Sequence, residues 1–399
     1  MLKQQDIVII SSIDWRFLWQ GPQEIAIGMS RAGNRVFYIE NTGVRSPELR
    51  DLARVRTRFG RWARALRSFG VQRHAENVFV CSPLVLPPFG PKLRQWLNRV
   101  VFLPLIRRAA CRLGVRDALI WTFLPTDTAV ELIRQLRSPR SVVVYHCAAD
   151  FSQLTPYRTQ LHRSEHSLLQ LSDLVFAICP ELSERCATVN PRVHLFPYGV
   201  DLATFPLVEQ TPNNGQARAR HNSRPVIGYV GGMHRHVDFS LLAAMIRSRP
   251  DWTWVFVGPY DRTAHVLAEL PNTRLLGQLQ HRELAHVIRS FDVCIVPYVK
   301  SDYTRTVVPV KINEYLALGK PVVSTDIQPV VEFNELHHVL ITSENKPAAF
   351  IDAIESALRI SAEPAMIVRR REVAALSDWQ GRLEAMSALI EDRLREKPP

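Results

Sequence analysis

Lys311 and Glu314 stand three residues apart in VPVKINEYLALGKPVV, residues 308–323, a stretch that is otherwise mostly apolar. Pro309 suits a first helical turn, where its missing N–H costs nothing, and Gly319 suits the stop with Pro321 beyond it, so the pattern predicts a helix over about 309–318. The first turn of such a helix offers N–H groups and a positive dipole end to an anion, and Lys311 adds a point charge, which together would suit a diphosphate. Glu314 shares the face of Lys311, and a carboxylate can accept two hydroxyl hydrogen bonds side by side, the geometry of a ribose diol. Phosphate and ribose together describe a nucleotide. The plain alternative is a salt-bridged helix face.

Other residues stand where chemistry is possible. Gly231 and Gly232 end the run PVIGYVGG, where glycines either let backbone approach a ligand or make a turn. Asp150 follows SVVVYHC and is expected at the carboxyl end of a strand, either as a base toward an acceptor hydroxyl or as a cap before FSQL. His146, at the same strand end, is the rival base or a satisfied core histidine. Asp14 and Gly21 flank the loop after the first strand, near phosphate or in a turn. His162 and His166 have the i, i+4 spacing of metal ligands but no third convergent ligand, so a solvated helix face is the better reading and no metal site is expected.

These residues need elements to hold them. DIVIISS, then PQEIAIGMSRAGN, then RVFYIE reads as strand, helix and strand, and ALIWTF, SVVVYHC, LVFAIC and VHLFPYG continue the alternation to about residue 200. The implied sheet is parallel and covered on both faces. Residues 208–224 are polar and aperiodic, as a linker is. PVIGYVGG, WTWVFVG, TRLLGQL, DVCIVPY and PVVSTD then restart the pattern. The fold class expected is α/β with two Rossmann-like lobes: 1–207, a linker at 208–224, 225–375, and a C-terminal helix over 376–399 able to cross back to the first lobe.

The chain has 399 residues, 46% hydrophobic and 22% charged, enough apolar material for two cores. No run reaches the roughly 20 apolar residues of a membrane span. Six cysteines without a CxxC pair suit reduced thiols in a cytoplasmic protein. The net charge of +12 is lopsided: residues 1–204 hold 27 Lys+Arg against 16 Asp+Glu, a net +11. Without zinc-finger, RNP or helix-turn-helix patterns, nucleic acid is not the expected partner. From Arg45 to Arg73 there are nine arginines and two acids, with Leu52, Val55, Phe59, Trp62, Leu66 and Phe69 at helical spacing; RQWLNRVVFLPLIRRAACRLG repeats the theme. Residues 45–116 therefore read either as core-facing helices with solvated arginines or as a contact with an anionic membrane surface.

The stretch PVKINEYLALGKPVVSTD resembles the donor-site signature of GT-B-fold glycosyltransferases, in particular the family 4-like bacterial enzymes of cell-surface polysaccharide synthesis. WQGPQEIAIGMSRAGNRVFYIE is similar to their first βαβ unit, LSDLVFAICPELSERC and VHLFPYGVDLATF to the end of their acceptor lobe, and VIGYVGGMHRHVDFSLL to the start of their donor lobe. The likeness is weakest over 45–116 and the linker. It implies a two-lobed enzyme with a cleft between the lobes, Glu314 on ribose, the YVGG loop under the diphosphate, and backbone at Gly277 and Leu279 meeting the base. It further implies transfer from a nucleotide-sugar, a UDP-sugar first and a GDP-sugar as the alternative, to a saccharide or lipid-linked acceptor; the basic stretch points to the inner face of the cell membrane, and no cofactor is expected. Two departures stand out. The acid that retaining members carry eight positions before the ribose glutamate is Thr306 here, and their Arg/Lys pair after the glycines becomes His234, Arg235 and His236, leaving Arg235 to neutralise phosphate. The alternatives are a non-catalytic nucleotide-binding subunit of the same fold or a GT-B sugar epimerase.

Overall fold

The computed structural model describes residues 1–43, 70–206 and 224–398. Internal contacts divide it into two units, residues 1–197 with 380–399, and residues 198–379. The arginine-rich stretch 45–69 and all but Arg224 of the linker expected at 208–224 lie outside the described residues.

The first unit is built on an eight-stranded sheet. Its strands are β1 (Asp6–Ile10), β2 (Arg35–Ile39), β3 (Val71–Ala75), β4 (Val78–Cys81), β5 (Leu119–Thr122), β6 (Val143–Cys147), β7 (Leu174–Ala177) and β8 (Val193–Leu195), in the spatial order 3-4-2-1-5-6-7-8. The runs of Val, Ile and Leu form strands because both faces are covered: nearly every side chain of β1, β2, β5, β6 and β7 is buried. Neighbours are parallel except at one edge, where β3 runs antiparallel to β4 and corrects the expected all-parallel sheet. Glu76 and Asn77 form that hairpin's turn, and Asn77 takes φ 59°, a left-handed conformation that asparagine tolerates. The helix Gly21–Arg31 begins with a capping box between Gln20 and Gln23 and has Pro22 in its first turn. Past its end, the buried Asn34 amide donates to the carbonyls of Leu2 and Met29 and stops it firmly. The final helix, Trp379–Arg395, contributes residues from Gln380 onward to this first unit.

The second unit holds a six-stranded sheet of β9 (Val226–Val230), β10 (Thr253–Val257), β11 (Thr273–Leu275), β12 (Val293–Val296), β13 (Val322–Thr325) and β14 (Ile341–Ser343), all parallel, in the order 11-10-9-12-13-14. After β9 the chain first builds one side of the sheet and then, from β12, the other. The carboxyl ends of β9 and β12 therefore flank a topological switch point, where loops diverge and leave a crevice. The segment 198–206 belongs with this unit: Val200 N–H and O bond to Ser377 O and Trp379 N–H, and Phe205 is buried in its core.

Gly228, in the middle of β9, is the tightest point of this core: a Cβ there would lie 2.0–2.2 Å from ring atoms of Phe291. Gly228→Ala is expected to destabilise the protein by about 1–3 kcal/mol through overpacking. Urea unfolding of the full chain should show an earlier transition; an unchanged midpoint would mean that Phe291 moves aside at no cost.

Candidate functional site

The switch point of the second unit gathers the residues that the opening motif singled out. The helix predicted over 309–318 runs from Lys311 to Ala317, with Val310 as its cap residue. Two of its early N–H groups are already engaged: Ile312 N–H donates to Pro309 O and Asn313 N–H to Val310 O. The Lys311 side chain adds its charge at this helix end, where fewer N–H groups are open than the sequence suggests.

Lys311 Nζ donates to Tyr298 Oη at 2.6 Å and lies 3.4 Å from Tyr229 Oη, with the faces of both rings 4.9–5.1 Å away. Tyr229 Oη in turn donates to Gly232 O, and Tyr315 Oη accepts from Val230 N–H. The glycine loop is thus laced to the helix by two tyrosines and one lysine. Gly231 has φ 147°, and a Cβ on it would lie 2.6 Å from Lys311 Nζ, so only glycine leaves the ammonium group its place. Gly258, which the sequence reading passed over, ends β10 at φ 142°; a Cβ there would stand 2.0 Å from Gly231 O. Its signal was present in WTWVFVG, a glycine directly after a buried strand. Gly258 N–H donates to the carbonyl of Gly277, which has φ 69°. Gly231, Gly258 and Gly277 therefore make a continuous backbone rim along the carboxyl ends of β9, β10 and β11. Leu279 packs partly buried on the core beside this rim.

Glu314 is buried. Its Oε1 lies 3.2 Å from Nε2 of His281, the first residue of the helix His281–Arg289, and Phe205 sets its ring edge against that histidine. His281 was not anticipated, because it lies 33 residues from Glu314 in sequence. Next on the helix, Asn313 donates to Tyr198 O. After β9, burial first of all, then His234 and Arg235, push the His236 imidazole down to about 4, and it stacks on Tyr303 at 4.1 Å. His234 is likewise lowered, by burial and then Lys311. Both are neutral near pH 7, so Arg235, which is exposed, is the cation of that loop. Thr306 is buried and donates to Tyr303 O, so it occupies the acid's position as a loop-packing residue.

In the first unit the two candidate bases part company. His146 is fully buried in β6, its ring 4.9 Å from Phe123 and 6.1 Å from Trp121, and burial pushes it down to about 3. A side chain sealed among aromatics cannot meet an acceptor, so the core-histidine alternative holds and the base reading of His146 is corrected. Asp150 caps the short helical turn Phe151–Leu154 by accepting from Ser152 N–H, and Arg185 lies 3.2 Å from its Oδ1. Burial alone would raise this carboxyl; the Ser152 hydrogen bonds and the Arg185 charge outweigh it and hold the group below the usual carboxylate range. Arg185 also bonds Glu165, which accepts from Tyr145 Oη, so the acid is fixed through three neighbours. Gly21 opens the helix Gly21–Arg31, and the Asp14 carbonyl accepts from Phe17 N–H in a turn. His162 and His166 lie exposed on the helix Arg158–Leu171, and no group of three potential metal ligands occurs among the described residues.

Residues 224–359 match the family described as Glycosyl transferases group 1. TuaH of Bacillus subtilis (strain 168), named as a teichuronic acid biosynthesis glycosyltransferase, is 28% identical over 254 residues, 59% of this chain and 64% of that protein, so the match spans less than two thirds of the relative's length. Among solved structures, sucrose-phosphate synthase from Thermosynechococcus elongatus superposes with a TM-score of 0.68 at 20% identity, over 98% of this chain and all of the other. HepE from Anabaena, solved in complex with UDP, reaches 0.65 at 12% identity over the same shares. With two Rossmann-like sheets and a rim of glycines beside a lysine and a glutamate, the chain has the GT-B fold, and the unit that carries this rim is the part that matches the glycosyl transferases group 1 family.

Proposed function

We propose that the protein transfers a sugar from a nucleoside diphosphate, a UDP-sugar by preference, to a saccharide or lipid-linked acceptor in cell-surface polysaccharide synthesis. The observation that carries this reading is Lys311, held by Tyr298 and Tyr229 against the positive-φ glycine Gly231 with Glu314 one helical turn on. Support for the base comes from HepE, solved with UDP and with UDP-glucose, and support for the pathway class from the name of TuaH.

In this reading Lys311 and Arg235 neutralise the departing diphosphate, and a preorganised cation does so without reorganisation at the moment of transfer. Gly231 and Gly232 let backbone approach the phosphates, Glu314 accepts the ribose hydroxyls, and backbone at Gly277 and Leu279 meets the base. Asp150 takes the proton of the acceptor hydroxyl. The Ser152 hydrogen bonds, with Arg185 beside them, keep that carboxylate ionised, at some cost in basicity. The protein works in the cytoplasm against the inner face of the membrane; no helix among the described residues is long and apolar enough to cross one. Thr306, in place of an acid, favours one rival, a nucleotide-binding subunit without chemistry. Release of free UDP from UDP-sugars separates the two.

Glu314→Ala is expected to weaken UDP binding by about 1.5–3 kcal/mol, the scale of a hydrogen bond to a charged group, with the fold retained. Unchanged UDP affinity in calorimetry would reject the ribose assignment. Asp150→Asn should lower kcat by roughly 10²–10⁴ and leave UDP affinity alone; near-normal turnover would remove Asp150 from the chemistry. Because Arg185 helps hold the Asp150 carboxyl low, Arg185→Met should raise it, moving the acid limb of the kcat/KM profile to higher pH. A limb that stays in place would mean that another group titrates there.

A further inference from the structure

From Ser82 to Arg116 the chain has seven lysines and arginines and no acid. In the middle of this stretch the helix Lys92–Leu97 passes through a π-helical turn, Asn98–Phe102, into the helix Leu103–Arg112. One side is anchored. Leu103, Ile106, Ala109 and Ala110 are buried, and the buried Asn98 amide clamps Leu86, accepting from its N–H at 2.8 Å and donating to its carbonyl at 3.0 Å. The other side is thereby held to solvent, with Leu93 67%, Trp96 55%, Val100 45% and Val101 44% exposed. Arg107, Arg108 and Arg112 are exposed further along, while Arg99 leans on Glu131 at 3.3 Å.

Four large apolar side chains on one helical stretch, with the exposed Arg107 and Arg108 further along it, call for a partner that is apolar and anionic at once. A second copy of a chain with net charge +12 would set arginine against arginine. A nucleic acid supplies phosphates but nothing for the leucine and valines. An anionic bilayer supplies both, phosphate headgroups for the guanidinium groups and an acyl boundary a few ångströms below for tryptophan, leucine and valine.

We propose that the outer face of residues 92–112 lies on an anionic lipid bilayer, with Leu93, Trp96, Val100 and Val101 at the headgroup–acyl boundary and Arg107 and Arg108 against lipid phosphates. This rests on the proposed membrane-facing function and names the surface that serves it. It brings the first unit to the leaflet in which a lipid-linked acceptor would reside.

The full chain is to be sedimented with vesicles of phosphatidylcholine alone and with phosphatidylglycerol added, together with the variants L93S/W96S and R107E/R108E. Cys111, exposed on the same helix while the other five cysteines are buried, can carry an environment-sensitive thiol dye. The wild type should bind the anionic vesicles only, with a blue shift of the dye, and detach in high salt as screening grows. Each double variant should bind them about tenfold or more weakly. Thermal unfolding of the variants, which needs no assumption about the donor, checks the fold. Wild-type binding that both well-folded variants retain overturns the assignment to this face while the membrane reading stands. No binding by the wild type, or equal binding to neutral vesicles, overturns the membrane reading itself. Self-association of the wild type that L93S/W96S abolishes would assign the face to a second copy instead.

Discussion

The close approach of bare backbone to a fixed ammonium group is the constraint on which the second unit depends. Gly231 gives up a side chain so that Lys311 Nζ can stand beside it, and Gly258 gives up one so that the Gly231 carbonyl can pass. Two tyrosine hydroxyls hold the lysine, and a third, Tyr315 Oη, fixes the end of β9. A lysine stem is flexible, and holding it in one rotamer costs entropy. The aromatic cradle meets that cost in advance, with ring faces and an accepting hydroxyl, so the charge is already in place when an anion arrives. The strand order makes this possible: because the chain reverses direction of growth at β9, the loops after β9 and β12 open toward the same crevice.

The first unit solves a different electrostatic problem. It holds the half-buried Asp150, after β6, and the buried Glu165, on the helix Arg158–Leu171, with one arginine. Arg185 reaches Asp150 and Glu165, and Tyr145 completes the network from β6. Burying a charge is costly unless it is paired and hydrogen-bonded, and here every acid of the set has both. Ser152 and Arg185 hold the Asp150 carboxyl below its usual range, whereas burial beside Phe123 and Trp121 pushes His146 down to about 3. Two residues four apart in sequence thus end in opposite protonation behaviour.

Much of this was legible in the residues alone. Runs such as VVYHC and VCIV could only be covered strands, and the Pro-to-Gly punctuation around KINEYLA bounded a helix to within two residues. The polar hairpin VQRHA–VFVC was not legible, because an edge strand needs no apolar alternation and its pairing is set by the neighbour. Nor was the choice at His146. Its position at a strand end suggested an accessible base, but which face an alternating side chain takes depends on what covers that face, and Phe123 and Trp121 cover it. His281 carried no local signal at all.

What the sequence by itself determined is the local chemistry: a lysine and a glutamate on one short helix, glycines at strand ends, two rounds of strand and helix, and a basic first half. Those follow from backbone sterics, periodicity and charge, which act over a few residues. The tertiary structure alone decided the partners. That Lys311 meets Tyr298 and Tyr229, that Glu314 meets His281 across 33 residues, and that Asp150 is paired while His146 is entombed are consequences of sheet order and helix packing. Contacts between residues distant in sequence form only when the whole core closes, because the chain entropy they cost is offset by burial summed over the unit and not by any one pair.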